Sequence, residues 1–224
     1  MIKNKKAIIL LSGGMDSLLT LAIAIQNEMI PYTLHINYGQ NTQIKELNAF
    51  KNINNHYNIA TNHTMIVDID YLKNIGGSTL TDVDFNIKKN DNVPNSYVPF
   101  RNANILAIAT AWAETIGAEH IFIGASEVDY SGYPDCKREF FDAFENAIEL
   151  GTRPDTKIKI QTPLISMSKE DIVRKGIELN TPFELSWSCY YMDDAACGEC
   201  PSCKLRIKGF NKANMSDPIK YMVR

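Results

Sequence analysis

Apolar and polar positions along the chain predict strands that alternate with helices. Short apolar runs, several of them ending at glycine, are typical of buried strands, whereas apolar residues spaced three to four apart indicate helices. The predicted strands are 7–11, 32–38, 64–69, 120–124 and 157–161, and the predicted helices are 16–28, 41–57, 102–117 and 138–150. A last helix is predicted to begin at Ser168, because Asp171 stands where a capping box requires it.

This alternation predicts an α/β fold, in which a mainly parallel sheet is covered by helices on both faces. Three turns with candidate chemistry, at 12–17, 38–40 and 125–135, each follow a predicted strand. Because ligands of such folds bind beyond the carboxyl ends of the strands, we expect these turns to gather at one edge. Residues 76–99 show no period and predict a long loop, which in a compact domain is usually functional or mobile.

Composition and charge narrow the range of functions. The 224 residues carry a net charge of −3, which argues against broad nucleic-acid binding. A basic strip is expected to form a solvated helix face; it comprises Lys204, Arg206, Lys208 and Lys212. No apolar stretch is long enough to span a bilayer, and 7–11 is too short for a signal peptide, so we expect a cytoplasmic protein.

The segment between the first strand and the first helix predicts a phosphate-binding loop. It consists of Ser12, Gly13, Gly14, Met15, Asp16 and Ser17. Two glycines allow a sharp turn close to a ligand, and the helix start that follows favours an anion. Asp16 could hold magnesium against a triphosphate. The loop lacks the Gly-Lys-Ser/Thr of a P-loop and the third glycine of a dinucleotide site. A glycine turn capped by Ser12 or Ser17 is the alternative.

Four of the five cysteines crowd into fifteen residues near the C-terminus; they are Cys189, Cys197, Cys200 and Cys203. Their spacing favours a closed, structural zinc site, and an iron–sulfur cluster is the alternative. Cys136 lies apart from these four. It is expected to be either a small buried thiol or a residue of the ligand site.

The glycine loop resembles the Ser-Gly-Gly-x-Asp-Ser loop of the ATP pyrophosphatase (PP-loop) superfamily. In that superfamily the loop holds the β- and γ-phosphates of ATP, and the bond between the α- and β-phosphates is broken. The resemblance implies a Rossmann-like sheet and adenylation of a substrate. The resemblance also implies that the residues from Leu11 to Leu18 contact the nucleotide and that Ser12 and Asp16 act in catalysis.

Three further segments, at 36–40, 98–102 and 129–136, look like the 7-cyano-7-deazaguanine synthase family, which makes the nitrile precursor of queuosine. With the glycine loop and the cysteines, the resemblance runs from Ser12 to about Phe210. That family usually has Gly or Ala where Phe100 stands, so the substrate pocket is expected to differ here. The gap between Cys189 and Cys197 is slightly short, which should alter a loop and not the ligand set.

The resemblance implies an ATP-dependent ligase that converts 7-carboxy-7-deazaguanine and ammonium to the nitrile, with Mg²⁺ and one structural Zn²⁺. Arg101 is expected to bind a phosphate or the substrate carboxylate and to act in catalysis. The other expected substrate contacts are Gln40, Asn102, Asp129, Tyr133 and Asp135. We expect a PP-loop domain over 1–180, a zinc-binding region over 181–224 and a homodimer, with neither membrane association nor direct nucleic-acid binding.

Two alternatives remain from the sequence. One is another adenylating enzyme of the superfamily, either a deazaguanine relative that stops at the amide or a tRNA-modifying thiolase. A thiolase would need a pair of sulfur-carrying cysteines and a basic surface, which fit this chain poorly. The other is a non-enzymatic zinc-knuckle module that binds nucleic acid, which would leave the first 180 residues unexplained.

Overall fold

The computed structural model describes residues 5–82, 93–128 and 132–222. Across these ranges five strands alternate with helices, as the periodicity predicts. The strands are β1 (Lys6–Leu10), β2 (Ile30–Asn37), β3 (Thr64–Asp68), β4 (His120–Phe122) and β5 (Lys159–Gln161). The helices are α1 (Met15–Gln26), α2 (Gln43–His56), α3 (Tyr71–Ile75), α4 (Arg101–Ile116), α5 (Arg138–Gly151), α6 (Lys169–Glu178) and α7 (Pro201–Lys212). The short helix α3 and the bounds of α7 were not predicted.

All five strands are parallel and lie in the order β3-β2-β1-β4-β5. The chain moves outward from β1 to β2 and β3, then returns to the other side of β1 for β4 and β5. This reversal creates a crevice beyond the carboxyl ends of β1 and β4, where ligands of such sheets bind. The predicted α/β, Rossmann-like fold class is confirmed.

Apolar side chains cover both faces of the sheet, because successive residues of a strand point to opposite sides. In and just after β1, Ile8 and Leu10 belong to one core cluster, which includes residues of α4 and α5. Ala7, Ile9 and Leu11 belong to a second cluster with residues of α1, α2 and α6. Helices therefore pack on both faces, as predicted.

The C-terminal residues pack against this core. Phe210 and Ala213, in and just after α7, join the same apolar cluster as helix α1. Close to the end of the described chain, Ala196 pairs with Tyr221 in a single β-bridge. The division into domains at 180/181 stays a prediction. In the described ranges, none of the helices combines the length and apolar character that a membrane crossing requires.

The prediction that the basic strip is a solvated helix face is wrong at one residue. Lys204, Lys208 and Lys212 are exposed, but Arg206 is fully buried. Its guanidinium lies 2.8–2.9 Å from the carboxylate oxygens of Asp217 and also donates to Ser186 Oγ and Phe183 O. One cation of the strip is thus an internal structural group, because this ion pair and its hydrogen bonds satisfy the buried charge.

Candidate active site

The glycine loop connects β1 to α1 and bends tightly around Gly13. This residue has φ +92°, and a Cβ there would lie 2.6 Å from the carbonyl oxygen of Glu46 in α2. Gly14 caps α1 without a side-chain hydrogen bond, and Leu18 is the first residue whose N–H bonds back into the helix, to Gly14 O. The N–H groups between them lie at the positive end of the helix dipole, where an anion is stabilised.

The two serines of the loop act on the loop itself. Ser12 Oγ lies 3.1 Å from Ser17 Oγ and accepts from the N–H of Gly14, while Ser17 donates to Gly14 O. These bonds hold both hydroxyl groups at the wall of a cavity at the carboxyl edge of the sheet. The loop is therefore ordered by its own side chains, and its hydroxyl groups face the space available to a ligand.

A lysine from a distant part of the sequence lies beside the loop. Lys169, in the first turn of α6, places Nζ 2.8 Å from both carboxylate oxygens of Asp16. The Lys169 side chain is only 6% exposed and that of Asp16 only 13%, so water screens the pair weakly. The loop thus acquires the ammonium group that a P-loop carries in its own sequence.

One cavity brings together most of the residues predicted for ligand binding. Its wall includes Leu11, Ser12, Gly14, Met15, Asp16 and Ser17 from the glycine loop and its flanks, and Gln40, Arg101, Asn102 and Tyr133 from the other predicted segments. The three turns thus meet at one edge, as predicted from their positions after strands. Leu18 is instead completely buried in the apolar core. Asp129 lies outside the described residues.

Arg101 faces the cavity from the start of α4. Its Nη1 atom lies 3.1 Å from Tyr38 Oη, and its guanidinium carbon lies 5.3 Å from the centre of the same ring. Burial raises the pKa of Tyr38 to about 12, so the phenol stays neutral beside the guanidinium. Arg101 keeps its charge and further donors, an arrangement that suits a carboxylate or a phosphate.

Asp135, which was predicted to contact the substrate, forms hydrogen bonds to another residue of the protein. Its carboxylate accepts from the backbone N–H of Asn102 at 2.9 Å, and its carbonyl accepts from the Asn102 amide at 2.8 Å. The same amide donates to Cys136 Sγ at 3.3 Å, and burial raises the pKa of that thiol to about 11. These contacts fix the start of α4 and hence Arg101, while Cys136 is a protonated thiol in the cavity wall.

Glu46 is a further charged group at the cavity, and the sequence analysis did not predict it. Its carboxylate accepts from Gln40 Nε2 at 3.0 Å and from Thr42 Oγ1 at 2.8 Å. Gln40 is itself fixed, since its Oε1 accepts from the N–H of Tyr38. Burial raises the pKa of Glu46 against the effect of these hydrogen bonds. Gln40, predicted to contact the substrate, here orients Glu46.

The four cysteines form a cluster that fits a metal ion. All four sulfur atoms lie within 4.8 Å of one another, and those of Cys197 and Cys203 are 3.9 Å apart. A tetrahedral zinc–thiolate site would place its sulfurs about 3.8 Å apart, from a bond length of about 2.3 Å. Backbone N–H groups of Cys200 and Cys203 point at sulfurs of the cluster, which favours thiolates. The donor set therefore matches a closed, structural site.

The cysteine cluster is joined to the glycine loop through Trp187. The Trp187 N–H donates to Gly13 O at 2.8 Å, and its indole Nε1 donates to Met192 O at 3.1 Å. Trp187 shares one apolar cluster with Cys189, Cys200 and Cys203. A metal held by the cysteines would thus support the loop from outside the cavity.

Sequence comparison identifies the family. The chain matches, over residues 6–214, the family described as queuosine biosynthesis protein QueC. It is 55% identical over 223 residues to a 7-cyano-7-deazaguanine synthase of Chlorobium phaeobacteroides, with 98% of each chain covered. A protein of the same name from Chlorobaculum tepidum is 50% identical over 223 residues, with 98% of this chain and 97% of that one covered.

Solved structures show the same fold at low identity. A 4-thiouridine synthetase, in complex with RNA and ATP, has a TM-score of 0.54 at 22% identity, over 96% of this chain and 48% of that one. A predicted tRNA methyltransferase subunit from Methanocaldococcus jannaschii has a TM-score of 0.52 at 14% identity, over 98% and 93% of the two chains.

The fold, the site and these relatives define an enzyme of the ligase or synthase kind. The chain belongs to the queuosine biosynthesis protein QueC family.

Three charged residues at the cavity were not predicted to belong to the site: Glu46, Lys169 and Arg206. A signal existed for Lys169, since the Ser168–Asp171 capping box places it in the first turn of a helix after β5, on the same edge as the loop. No comparable signal marked Glu46 or Arg206, because their roles depend on neighbours far away in the sequence.

Proposed function

We propose that the chain is a 7-cyano-7-deazaguanine synthase, which uses ATP and ammonia to convert the carboxylate of 7-carboxy-7-deazaguanine to a nitrile. The full-length similarity to proteins of that name carries this proposal. The cavity supports it, because a glycine loop with a buried lysine and a separate arginine line the same space. A zinc-knuckle nucleic-acid module would leave this arrangement without a purpose.

The glycine loop binds the outer phosphates of ATP. The free N–H groups at the start of α1 and the ammonium of Lys169 offset the charge of the β- and γ-phosphates. Asp16 orients Lys169, since both of its oxygens face the ammonium. Gripping the outer phosphates leaves the α-phosphorus open to attack and makes pyrophosphate the leaving group.

Arg101 positions the acid for this attack. Its guanidinium neutralises the substrate carboxylate and holds one oxygen towards the α-phosphorus. The product is an acyl adenylate, whose C–O bond is far easier to break than that of the free carboxylate. Ammonia attacks the acyl carbon to give the amide with loss of AMP and one proton. A second ATP then adenylates the amide oxygen and releases pyrophosphate. That oxygen leaves as part of AMP, and loss of the amide protons gives the nitrile.

Two metal ions belong to the proposal. Mg²⁺, when bound with ATP, would offset phosphate charge, and Asp16 is the carboxylate that the glycine loop itself places at the cavity. Zn²⁺ fits Cys189, Cys197, Cys200 and Cys203 and serves structure, because four thiolates leave no open position. We also propose a homodimer, which light scattering after size-exclusion chromatography tests.

One incubation tests the function. Protein, ATP, Mg²⁺, ammonium and 7-carboxy-7-deazaguanine are mixed, and the products are followed by mass spectrometry. We expect the nitrile with AMP and pyrophosphate. Accumulation of the amide alone would indicate a relative that stops halfway, and ADP with free phosphate would contradict the adenylation mechanism. Omission of ammonium is the matched control, because the acid should then be adenylated but neither the amide nor the nitrile should form.

A further inference from the structure

The cavity holds a carboxylate, that of Glu46, to which the adenylation mechanism assigns no role. Each of its oxygens accepts one hydrogen bond, from Gln40 and Thr42 respectively. Among the described residues, no lysine, arginine or histidine forms an ion pair with it. A carboxylate oxygen can accept more than one hydrogen bond, so Glu46 keeps acceptor capacity for a ligand in the cavity.

The sequence predicted two carboxylates at the substrate, those of Asp129 and Asp135, and of these only Asp135 lies within the described residues. Asp135 accepts from the Asn102 N–H at the start of α4 and is 3% exposed. Glu46, in contrast, lines the cavity together with Arg101. Of Asp135 and Glu46, only Glu46 therefore lines the cavity.

The substrate of the proposed function has two chemically distinct ends. One end carries the carboxylate, and the other presents a ring N–H beside an exocyclic amine, which are two adjacent hydrogen-bond donors. The cavity offers a cation for the first end and an acceptor-only group for the second. Apolar and aromatic side chains also line the cavity, among them Leu34, Ile36 and Tyr38, which suit a flat ring.

We propose that the Glu46 carboxylate recognises the donor edge of the deazaguanine ring, accepting from both the ring N–H and the exocyclic amine. This inference rests on the proposed function, and it names Glu46 as the residue that determines specificity for the deazaguanine ring. Gln40 and Thr42 are positioning residues, since they hold the carboxylate in one orientation. The same group rejects the adenine ring of ATP, whose corresponding ring nitrogen is an acceptor and repels a carboxylate.

The test compares 7-carboxy-7-deazaguanine with an analogue that has hydrogen in place of the exocyclic amine. Pyrophosphate release is measured for the wild type, for Glu46→Gln and for Glu178→Gln. Glu178 is a matched control because it lies on the surface of α6, paired with Lys175. The wild type should show a KM for the analogue at least about tenfold higher, since a hydrogen bond to a charged group is lost.

For Glu46→Gln we expect the KM of the parent acid to rise at least about tenfold and the preference for the aminated ring to shrink. The KM for ATP should not change, and Glu178→Gln should match the wild type. Equal use of both compounds by the wild type would overturn the inference, and this comparison decides even where Glu46→Gln folds poorly. A raised KM for ammonium alone would also overturn it, by making Glu46 an ammonium site.

The two proposals fail in different ways. If the wild type releases no pyrophosphate with either acid, the proposed function is wrong and the role of Glu46 falls with it. If the wild type makes the nitrile but Glu46→Gln retains the full preference for the aminated ring, only the role of Glu46 is wrong.

Discussion

The ammonium group of Lys169 lies 2.8 Å from both carboxylate oxygens of Asp16, although 153 positions separate the two residues. The pair joins the start of α6 to the start of α1, at the edge of the sheet where the glycine loop ends. Because both side chains are largely buried, their charges interact with each other far more strongly than they would in water.

Replacing Lys169 tests whether this ammonium acts on phosphate. Lys169→Met should lower kcat for pyrophosphate release by about 10²–10³-fold, the range found when one preorganised charge donor is removed. Lys175→Met is the control, since Lys175 lies on the same helix and pairs with Glu178 at the surface. Turnover of Lys169→Met close to that of the wild type would remove Lys169 from the phosphate site.

Asp16 and Lys169 should behave as one unit. Asp16→Ala should abolish turnover while the fold and the metal content stay intact, as circular dichroism and elemental analysis would show. Because Asp16 orients Lys169, the double variant should be scarcely worse than either single variant, as expected for residues that act together. Fully additive losses would show that the two residues contribute independently, and an active Asp16→Ala would exclude Asp16 from the site.

Phe100 is expected to store backbone strain. It has φ +56°, in the left-handed region, where a non-glycine residue costs roughly 1–2 kcal/mol, and its side chain is 60% exposed. Phe100→Gly should therefore raise Tm by about 2–4 °C, after roughly 0.5–1 kcal/mol is lost to the greater freedom of glycine when unfolded. Phe100→Ala is the control, because it removes the ring and keeps the strained Cβ; equal melting temperatures for the two variants would contradict the strain.

The Arg206–Asp217 pair should be essential for stability. Arg206→Met leaves the carboxylate of Asp217 buried with no guanidinium beside it, which is expected to lower the free energy of unfolding by about 3–5 kcal/mol. Lys208→Met, on the exposed side of the same helix, should change it little. Urea denaturation measures both variants, and equal midpoints would show that the pair adds no net stability.

Removal of the metal should weaken nucleotide binding as well as the fold. Elemental analysis should find one zinc per chain, and iron with labile sulfide would instead indicate a cluster. Chelation should lower Tm and raise the Kd for ATP, because Trp187 transmits the position of the cysteine region to Gly13. Restoring zinc is the control and should recover both quantities. Metal-free protein that binds ATP with unchanged affinity would show that the loop holds its shape alone.

Local sequence patterns predicted most of the architecture. The runs around Ile8, Leu34 and Ile121 indicated strands because their apolar periods are local and require no knowledge of distant neighbours. The Ser168–Asp171 capping box predicted the start of α6 for the same reason, since the two residues bond to each other. The glycine loop and the cysteine spacing also indicated their chemistry locally, because consecutive backbone groups and closely spaced thiols form each site.

What the sequence by itself determined is thus the alternation of strands and helices, the loop between β1 and α1, and the thiols available for a metal. Only the tertiary structure decided that Lys169 pairs with Asp16 of the loop, that Asp135 bonds to Asn102 within the fold, and that Arg206 is buried. The physical reason is that charge pairing depends on distance in space, which parallel crossovers set between residues far apart in the chain. The sequence alone does not reveal whether water, a ligand or a buried residue of opposite charge will stabilise a given charged side chain.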